Sequence, residues 1–264
     1  MKNKQIKTIN VIVPIFGLGS ILNNVKLSSE IKIRFIDYVR KENELLQQSN
    51  LNHIKYSCVL DVNYRYDHQK ADEPYPAIGF LLDKIQAAFR VFHPGIIGFA
   101  GIISKPKVSP FPFLIDLTIP SRTSSYKIDK NKLNIFPEFY KKFCIAYPKK
   151  QIAFDWFNKS YLEVPVNKVI NYSIILENLF VPPKTREKKN FVLQGLTILK
   201  FSKEDKEKID TLFQYRNAVV HADIKKQMEI GNIENKQHPH HLHYYEDCEK
   251  IIRKSLHLYV KNPW

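Results

Sequence analysis

The sequence predicts an α+β region at the N-terminus followed by an all-α helical bundle. Strand-like runs rich in β-branched and aromatic residues are concentrated in the first 150 residues. From residue 151 onward, apolar residues recur at helical spacing, and no glycine occurs between Gln151 and Gly195. We therefore predict two domains, a basic α+β domain over residues 1–150 and a helical bundle over residues 151–264.

The elements of the first domain follow from local pattern. Residues 11–22 are mostly apolar and predict a buried opening strand, and residues 76–93 place apolar side chains three and four apart, as an amphipathic helix does. Three further runs are strand-like. They are residues 55–65, 95–103 and 111–119.

The second domain is predicted as a bundle because each of its periodic segments has an apolar stripe at a period near 3.6 residues. Ser202 followed by Asp205 resembles a capping box at the start of the fourth segment. The predicted helices cover residues 152–161, 167–180, 188–199, 202–220 and 244–260.

Composition limits the class of protein. With 264 residues and 44% apolar content, the chain can bury a core, so disorder is excluded for most of it. No apolar run approaches the roughly 20 residues that a membrane-spanning helix needs. Three widely spaced cysteines make neither a disulfide framework nor a zinc site, which favours a reducing, cytoplasmic setting. We expect neither a membrane partner nor a cofactor.

The N-terminus partly imitates a secretory signal. Three lysines precede the apolar run, but Pro14 interrupts that run and no small-residue cleavage site follows it. We therefore favour a buried opening strand over a signal peptide.

The net charge of +15 predicts a polyanionic partner, and RNA is the candidate. The charge is uneven, because residues 1–150 contribute +11 and residues 151–264 contribute +4. Candidate RNA-binding cations occur in both domains. They are Arg65, Lys149, Lys150, Lys188 and Lys189.

One polar constellation interrupts an apolar helix. Arg216, Asn217 and His221 lie within six residues, and Asn217 and His221 are one helical turn apart. An arginine presents a planar fork to phosphoryl oxygens, and a histidine exchanges protons near neutral pH, so the set suits phosphate chemistry. The same residues also fit a structural interpretation, in which the arginine pairs with a carboxylate and the histidine caps the helix.

The motif in its helical frame resembles the HEPN superfamily, specifically the ApeA-like HEPN group. The hallmark of that family is an arginine followed four to six residues later by a histidine, late in an all-helical bundle. The resemblance covers roughly residues 151–260. It includes a leading helix with Trp156, a second helix with Glu177 in its last turns, the YRNAVVHAD segment and a terminal helix with Arg253.

The resemblance implies a metal-independent endoribonuclease that works as a homodimer, with motif residues of two protomers facing one cleft. His221 would exchange the proton of the ribose 2′-OH or of the leaving oxygen, and Arg216 would stabilise the phosphorane. Asn217 would orient the histidine or a phosphate, and Glu177 would pair with Arg216 or only end its own helix. The expected products are a 2′,3′-cyclic phosphate and a 5′-OH.

In biological terms, the resemblance implies a toxin or antiviral effector of abortive infection, restrained by an antitoxin or activated by a phage-derived trigger. A toxin branch of the family carries a tyrosine two residues after the histidine, where this chain has Asp223, so regulation through that tyrosine is not predicted. The alternatives are a non-catalytic RNA-binding or dimerisation module and a sensor subunit of a defence system.

Two other segments were candidates for sites. Residues 236–243 contain four histidines, but a proline and irregular spacing favour a solvated loop over a metal site, and we predict no metal. Residues 63–70 interleave aromatic and basic side chains as a nucleic-acid surface does, although a plain strand and loop explain them better.

Overall fold

The computed structural model describes residues 6–16, 18, 24–35, 58–67, 74–95, 97–99, 102–105, 128, 130–237 and 242–264. The chain forms two compact units, Met1–Lys142 and Phe143–Trp264. The first holds an antiparallel sheet with helices, and the second is helical. The predicted order of an α+β region followed by a helical region is therefore confirmed.

The sheet of the first unit has the strand order β2-β3-β4-β1-β5, and β6 also pairs with β1. All these pairings are antiparallel. The strands are β1 (Ile6–Phe16), β2 (Val25–Lys26), β3 (Ile31–Phe35), β4 (Cys58–Asp67), β5 (Gly98–Phe99) and β6 (Ile103–Lys105).

The two faces of this sheet differ, because side chains alternate along each strand. Val13, Ile33 and Leu60 are fully buried on what we call the inner face. Helix α1 (Tyr75–Phe92) starts over this face, since the Tyr75 hydroxyl lies 3.5 Å from Ser104, which is in register with Val11. The opposite, outer face is exposed at one end, at Thr8, Asn10, Lys32, Asn63 and Arg65.

The first unit also contains most of helix α2 (Lys130–Ala146), which the sequence did not predict. Its apolar side chains Leu133, Phe136 and Tyr140 are buried at helical spacing, and the Phe136 ring stacks on Phe89 of α1 with 4.0 Å between centroids. Pro137 lies inside the helix and removes one backbone hydrogen bond. Pro137 therefore does not prevent a helix whose apolar stripe is well packed.

The structure divides the chain between Lys142 and Phe143, inside α2, whereas the predicted boundary was near residue 150. The last turn of α2 belongs with the helical unit because of its aromatic contacts. The Phe143 ring meets that of Phe154 edge-on at 4.8 Å, and the Tyr147 ring stacks on Phe154 at 5.9 Å.

The helical unit continues with six described helices. Five correspond to the predicted segments within one or two residues at each end, and the short polar helix α7 is additional. The helices are α3 (Gln151–Ser160), α4 (Pro165–Phe180), α5 (Lys188–Ile198), α6 (Lys203–Val220), α7 (Ile224–Gln237) and α8 (Leu242–Lys261).

The core of the helical unit is aromatic and centred on α4 and α8. Phe154, Phe157, Tyr172 and Tyr259 are each at most 1% exposed. Burial raises the pKa of the Tyr172 hydroxyl well above its usual range, so this side chain stays neutral at physiological pH. The bundle around it supplies the frame that positions the motif in α6.

Hydrogen bonds between two side chains and the backbone set the start of α6. The Ser202 hydroxyl accepts a hydrogen bond from the Asp205 N–H at 3.0 Å, and the Asp205 carboxylate accepts one from the Ser202 N–H at 3.2 Å. This is a complete capping box, which confirms the interpretation of these two residues as a helix start.

Several other predictions can be compared with the described residues. The opening strand is present but begins at Ile6 rather than residue 11 and ends at Phe16, and the predicted strand at 95–103 is two short strands. The predicted strand at 111–119 lies outside the described residues. Within the described part, no helix has the length and apolarity needed to span a membrane.

Candidate functional site

The predicted motif lies at the C-terminal end of α6. Arg216 and Asn217 are in its last two turns, and His221 is the C-cap residue, whose N–H donates to the Asn217 carbonyl at 3.0 Å. Asn217 and His221 are exposed, whereas Arg216 is half-buried. An exposed imidazole meets the first requirement for a group that exchanges a proton with a substrate.

The turn after His221 is a Schellman motif, which fixes where the histidine stands. The Asp223 N–H donates to the Ala218 carbonyl at 2.8 Å, and the Ala222 N–H donates to the Val219 carbonyl at 3.2 Å. Ala222 adopts the left-handed conformation with φ 54°, a position where glycine is usual.

Asp223, two residues after His221, precedes α7 and caps it. Its carboxylate accepts a hydrogen bond from the Lys226 N–H at 3.0 Å, and the Gln227 side chain donates to the Ala218 carbonyl at 3.0 Å. An aspartate that caps a helix in this way satisfies one of its free N–H groups. Asp223 therefore has a clear structural role beside the candidate site.

The Arg216 guanidinium is held by two neighbours. One Nη donates to the Asn217 side-chain oxygen at 3.1 Å, and the other lies 3.8 Å from a carboxylate oxygen of Glu177. Its Nε is one of four buried side-chain polar atoms in the described part that have no hydrogen-bond partner. The arginine thus has an N–H donor that no described acceptor satisfies.

Glu177 connects three helices. It lies near the end of α4, and its second carboxylate oxygen accepts a 2.7 Å hydrogen bond from Lys188 at the start of α5. Arg216 and Lys188 therefore share one carboxylate, and the cluster keeps a net positive charge. This net cationic cluster and the exposed His221 lie at the same end of α6, an arrangement suited to an anionic ligand such as a phosphodiester.

The other predicted RNA-binding cations have mixed surroundings. Lys150 donates to the Asn178 carbonyl at 2.5 Å, and burial lowers the pKa of its ammonium group. Lys189 lies 2.7 Å from Asp210. Burial alone would raise the pKa of Asp210, but hydrogen bonds from Lys189 and Gln214 outweigh it and lower that pKa.

Lys149 and Arg65 are exposed, and the described residues offer neither of them an ion-pair partner. Arg65 lies in β4 on the outer face of the first unit, with Tyr64 and Tyr66 pointing to the other side of the strand. The interleaved pattern at 63–67 is therefore that of a strand and not one mixed aromatic and basic surface. Residues 68–70 lie outside the described residues.

The candidate site is separate from a groove of the helical unit. That groove, of about 1050 Å³, runs between α5 and α6, and its lining includes the exposed Phe191 and Ile198 but not Arg216 or His221. The motif therefore lies outside this groove.

Sequence reasoning gave the pairing of Glu177 with Arg216 as one alternative, but it missed the contact of Lys188 with Glu177. Glu177 and Lys188 were candidates for different roles, and neither their spacing nor their local pattern indicates that they meet.

In the described part of the chain, no group of three or more histidine, cysteine or acidic side chains could hold a metal ion. The histidine-rich tract falls largely outside that part.

Comparisons with family models, with curated proteins and with solved structures gave no match for this chain. The resemblance to HEPN proteins therefore rests on the motif and on the order of elements around it.

Proposed function

We propose that this chain is a metal-independent endoribonuclease of the HEPN type, acting as a toxin or antiviral effector, with Arg216 and His221 as its catalytic residues. The observation that carries the proposal is the placement of an exposed His221 at the end of the helix whose Arg216 belongs to a net cationic cluster. A homodimer would bring two such sets to one cleft.

The proposed reaction is an internal transfer of a phosphodiester. The ribose 2′-OH loses its proton to His221 and its oxygen attacks the adjacent phosphorus, while the bond from phosphorus to the 5′-oxygen breaks. The leaving oxygen takes up a proton, which gives a 2′,3′-cyclic phosphate and a 5′-OH. Arg216 stabilises the negative charge that grows on the phosphoryl oxygens, and the nucleophile belongs to the RNA itself.

Asn217 and Glu177 have positioning roles in this proposal. The Asn217 side-chain oxygen accepts a hydrogen bond from Arg216, and Glu177 limits the directions that the guanidinium can take. Because Lys188 also binds Glu177, the carboxylate does not neutralise the site.

A second candidate function is a non-catalytic RNA-binding or dimerisation module. It is favoured by the structural partners that the motif already has, since Arg216 lies near a carboxylate and His221 caps its helix. The two candidates differ in what removal of the imidazole does. Cleavage depends on it, whereas binding of RNA to a cationic surface does not.

The test uses purified full chain and single-stranded RNA in EDTA, with Arg216→Ala and His221→Ala variants. Lys203→Ala is the matched control, because it removes a 90% exposed cation from the opposite end of the same helix. An RNA methylated at every 2′-oxygen is the matched substrate, because it lacks the nucleophile.

We expect the wild-type chain and Lys203→Ala to cut RNA to cyclic phosphate ends, and both site variants and the methylated RNA to show at least a 100-fold loss, in the range typical of general acid-base groups. Equal cleavage by all variants would exclude the site. Loss of cleavage in EDTA would exclude the metal-free mechanism. Salt-dependent RNA binding without cleavage, unchanged in His221→Ala, would establish the second candidate instead.

A further inference from the structure

The outer face of the first unit carries a polar groove that the candidate site does not use. The groove has a volume of about 580 Å³ and lies over strands β1 to β4 and the turn between β2 and β3. Its polar lining includes Asn10, Lys26, Lys32 and Asn63, all of which are exposed.

Two lysines form an unfavourable pair in this groove. Lys26 in β2 and Lys32 in β3 are directly opposite each other in the register of the sheet. Like charges in this position repel and destabilise a sheet. Neither ammonium group has an ion-pair partner among the described residues. A bound anion between them would relieve the repulsion.

The carboxylate opposite Lys32 in the register already has a partner. Asp61 is opposite Lys32 in the register, but both of its oxygens bind Arg34, at 2.8 Å from Nε and 3.2 Å from Nη2. Glu30 also lines the groove, at the β2-β3 turn. The cations Lys26, Lys32, Arg34 and Arg65 lie on the outer face, and the carboxylate of Asp67 also lies there, two residues after Arg65 in β4.

A pair of amides continues the polar floor of the groove. Asn10 and Asn63 are directly opposite each other in β1 and β4, and both are exposed. Each amide offers donors and an acceptor, as hydrogen bonding to ribose and base edges requires. From β2 to β1 the floor spans three strand spacings, about 14 Å, which is longer than a single phosphate ion.

We propose that this groove binds the backbone of single-stranded RNA, with Lys26 and Lys32 on phosphodiester oxygens and the Asn10/Asn63 pair on ribose or base edges. The choice of RNA among polyanions rests on the proposed function of the helical unit. Among the described residues that line the groove, there is no aromatic side chain for base stacking. Binding is therefore mainly electrostatic, strongly dependent on salt and tolerant of sequence.

The test measures binding of a fluorescent, fully 2′-O-methylated single-stranded RNA to the full chain at several salt concentrations. This probe cannot be cut through a 2′-OH, so binding is measured apart from cleavage. The variants are Lys26→Gln, Lys32→Gln and their combination. Lys7→Gln is the matched control, because Lys7 is an exposed lysine of β1 on the inner side of the same sheet.

The double variant should bind roughly 25-fold more weakly at 0.1 M salt, because each phosphate contact on a single strand contributes about fivefold there. The slope of log K against log salt should fall by about 1.4. Lys7→Gln should bind as the wild type does. The melting temperature of the double variant should be unchanged or higher, since a repulsive pair is removed.

Equal binding by the double variant and Lys7→Gln would overturn the proposal. So would a groove that binds inorganic phosphate or anionic phospholipid vesicles but not the RNA probe. These outcomes are independent of the cleavage assay. If the chain binds the probe through Lys26 and Lys32 but never cuts RNA, the result supports the RNA-binding groove and excludes the proposed ribonuclease function.

Discussion

A glycine at the contact between α5 and α4 provides a sharp test of the packing that brings Lys188 to Glu177. A Cβ added at Gly195 would meet three atoms of the Phe180 ring closer than real carbon contacts, Cγ at 2.7 Å, Cε1 at 2.9 Å and Cδ1 closer still. The Phe180 ring cannot turn away freely, because it stacks on Trp264 with 6.0 Å between centroids and 13° between planes. Gly195→Ala should therefore destabilise the helical unit.

The size of the effect follows from two opposing contributions. Overpacking a well-filled contact costs about 1 to 3 kcal/mol, and three ring atoms in conflict place this site in the upper half of that range. Alanine returns about 1 kcal/mol because it is the better helix former. We expect a net loss of about 1 to 2 kcal/mol. Both tryptophans, Trp156 and Trp264, are in the helical unit, so urea unfolding followed by tryptophan fluorescence reports on that unit.

Two controls isolate the steric cause. In the Phe180→Ala background the obstructing ring is absent, so Gly195→Ala should become neutral or stabilising there, which gives a coupling energy above 1 kcal/mol. Gly79→Ala in α1 adds a Cβ with nothing within 4 Å and should stabilise its own unit, as measured by far-UV circular dichroism. If Gly195→Ala raises the unfolding midpoint, as Gly79→Ala is expected to do, the close contact between Gly195 and the Phe180 ring is refuted.

Two other substitutions test local features. Ala222→Gly should stabilise the helical unit by about 1 kcal/mol, because φ 54° strains alanine but not glycine, and an unchanged or lower melting temperature would contradict the Schellman turn. Burial would raise the pKa of Asp247, but hydrogen bonds from Lys250 and Lys208 outweigh it and lower that pKa below 3.8. Asp247 therefore stabilises the fold above about pH 4 and loses this effect as the pH falls. Asp247→Asn should be less stable than the wild type at pH 7 and lose less stability between pH 5 and 3, whereas parallel pH profiles would exclude the effect.

The sequence predicted helices well where the apolar stripe was regular and poorly where another signal opposed it. Helices α1, α4 and α6 have buried stripes, and their predicted bounds agree with the structure within about two residues. Helix α7 was missed because Ile224 and Met228 are exposed, so its sequence shows little of a core-facing stripe. In α2, packing around Phe136 outweighs the cost of Pro137, and propensity alone cannot show this.

In the candidate site too, the sequence predicts the contacts within one helix but not the contacts between helices. Arg216, Asn217 and His221 are close because they share the end of one helix, and local geometry predicts that directly. The meeting of Glu177 and Lys188 depends instead on how the chain turns between α4 and α5, which includes Lys184 in the left-handed conformation with φ 66°. A lysine in such a conformation is not indicated by spacing or composition.

The energetics of Arg216 bear on the choice between a structural and a catalytic role. An ion pair at 3.8 Å that involves a 30% exposed arginine is worth about 0 to 1 kcal/mol. A buried N–H donor without an acceptor costs about 1 to 3 kcal/mol, and the Nε of Arg216 is such a donor. Within the protein alone, the stabilisation from the contact with Glu177 is therefore smaller than the cost of burying the unsatisfied Nε of Arg216. Under the proposed function, a bound phosphodiester would interact with the net positive charge of the cluster, which gives the placement of Arg216 a role beyond stability.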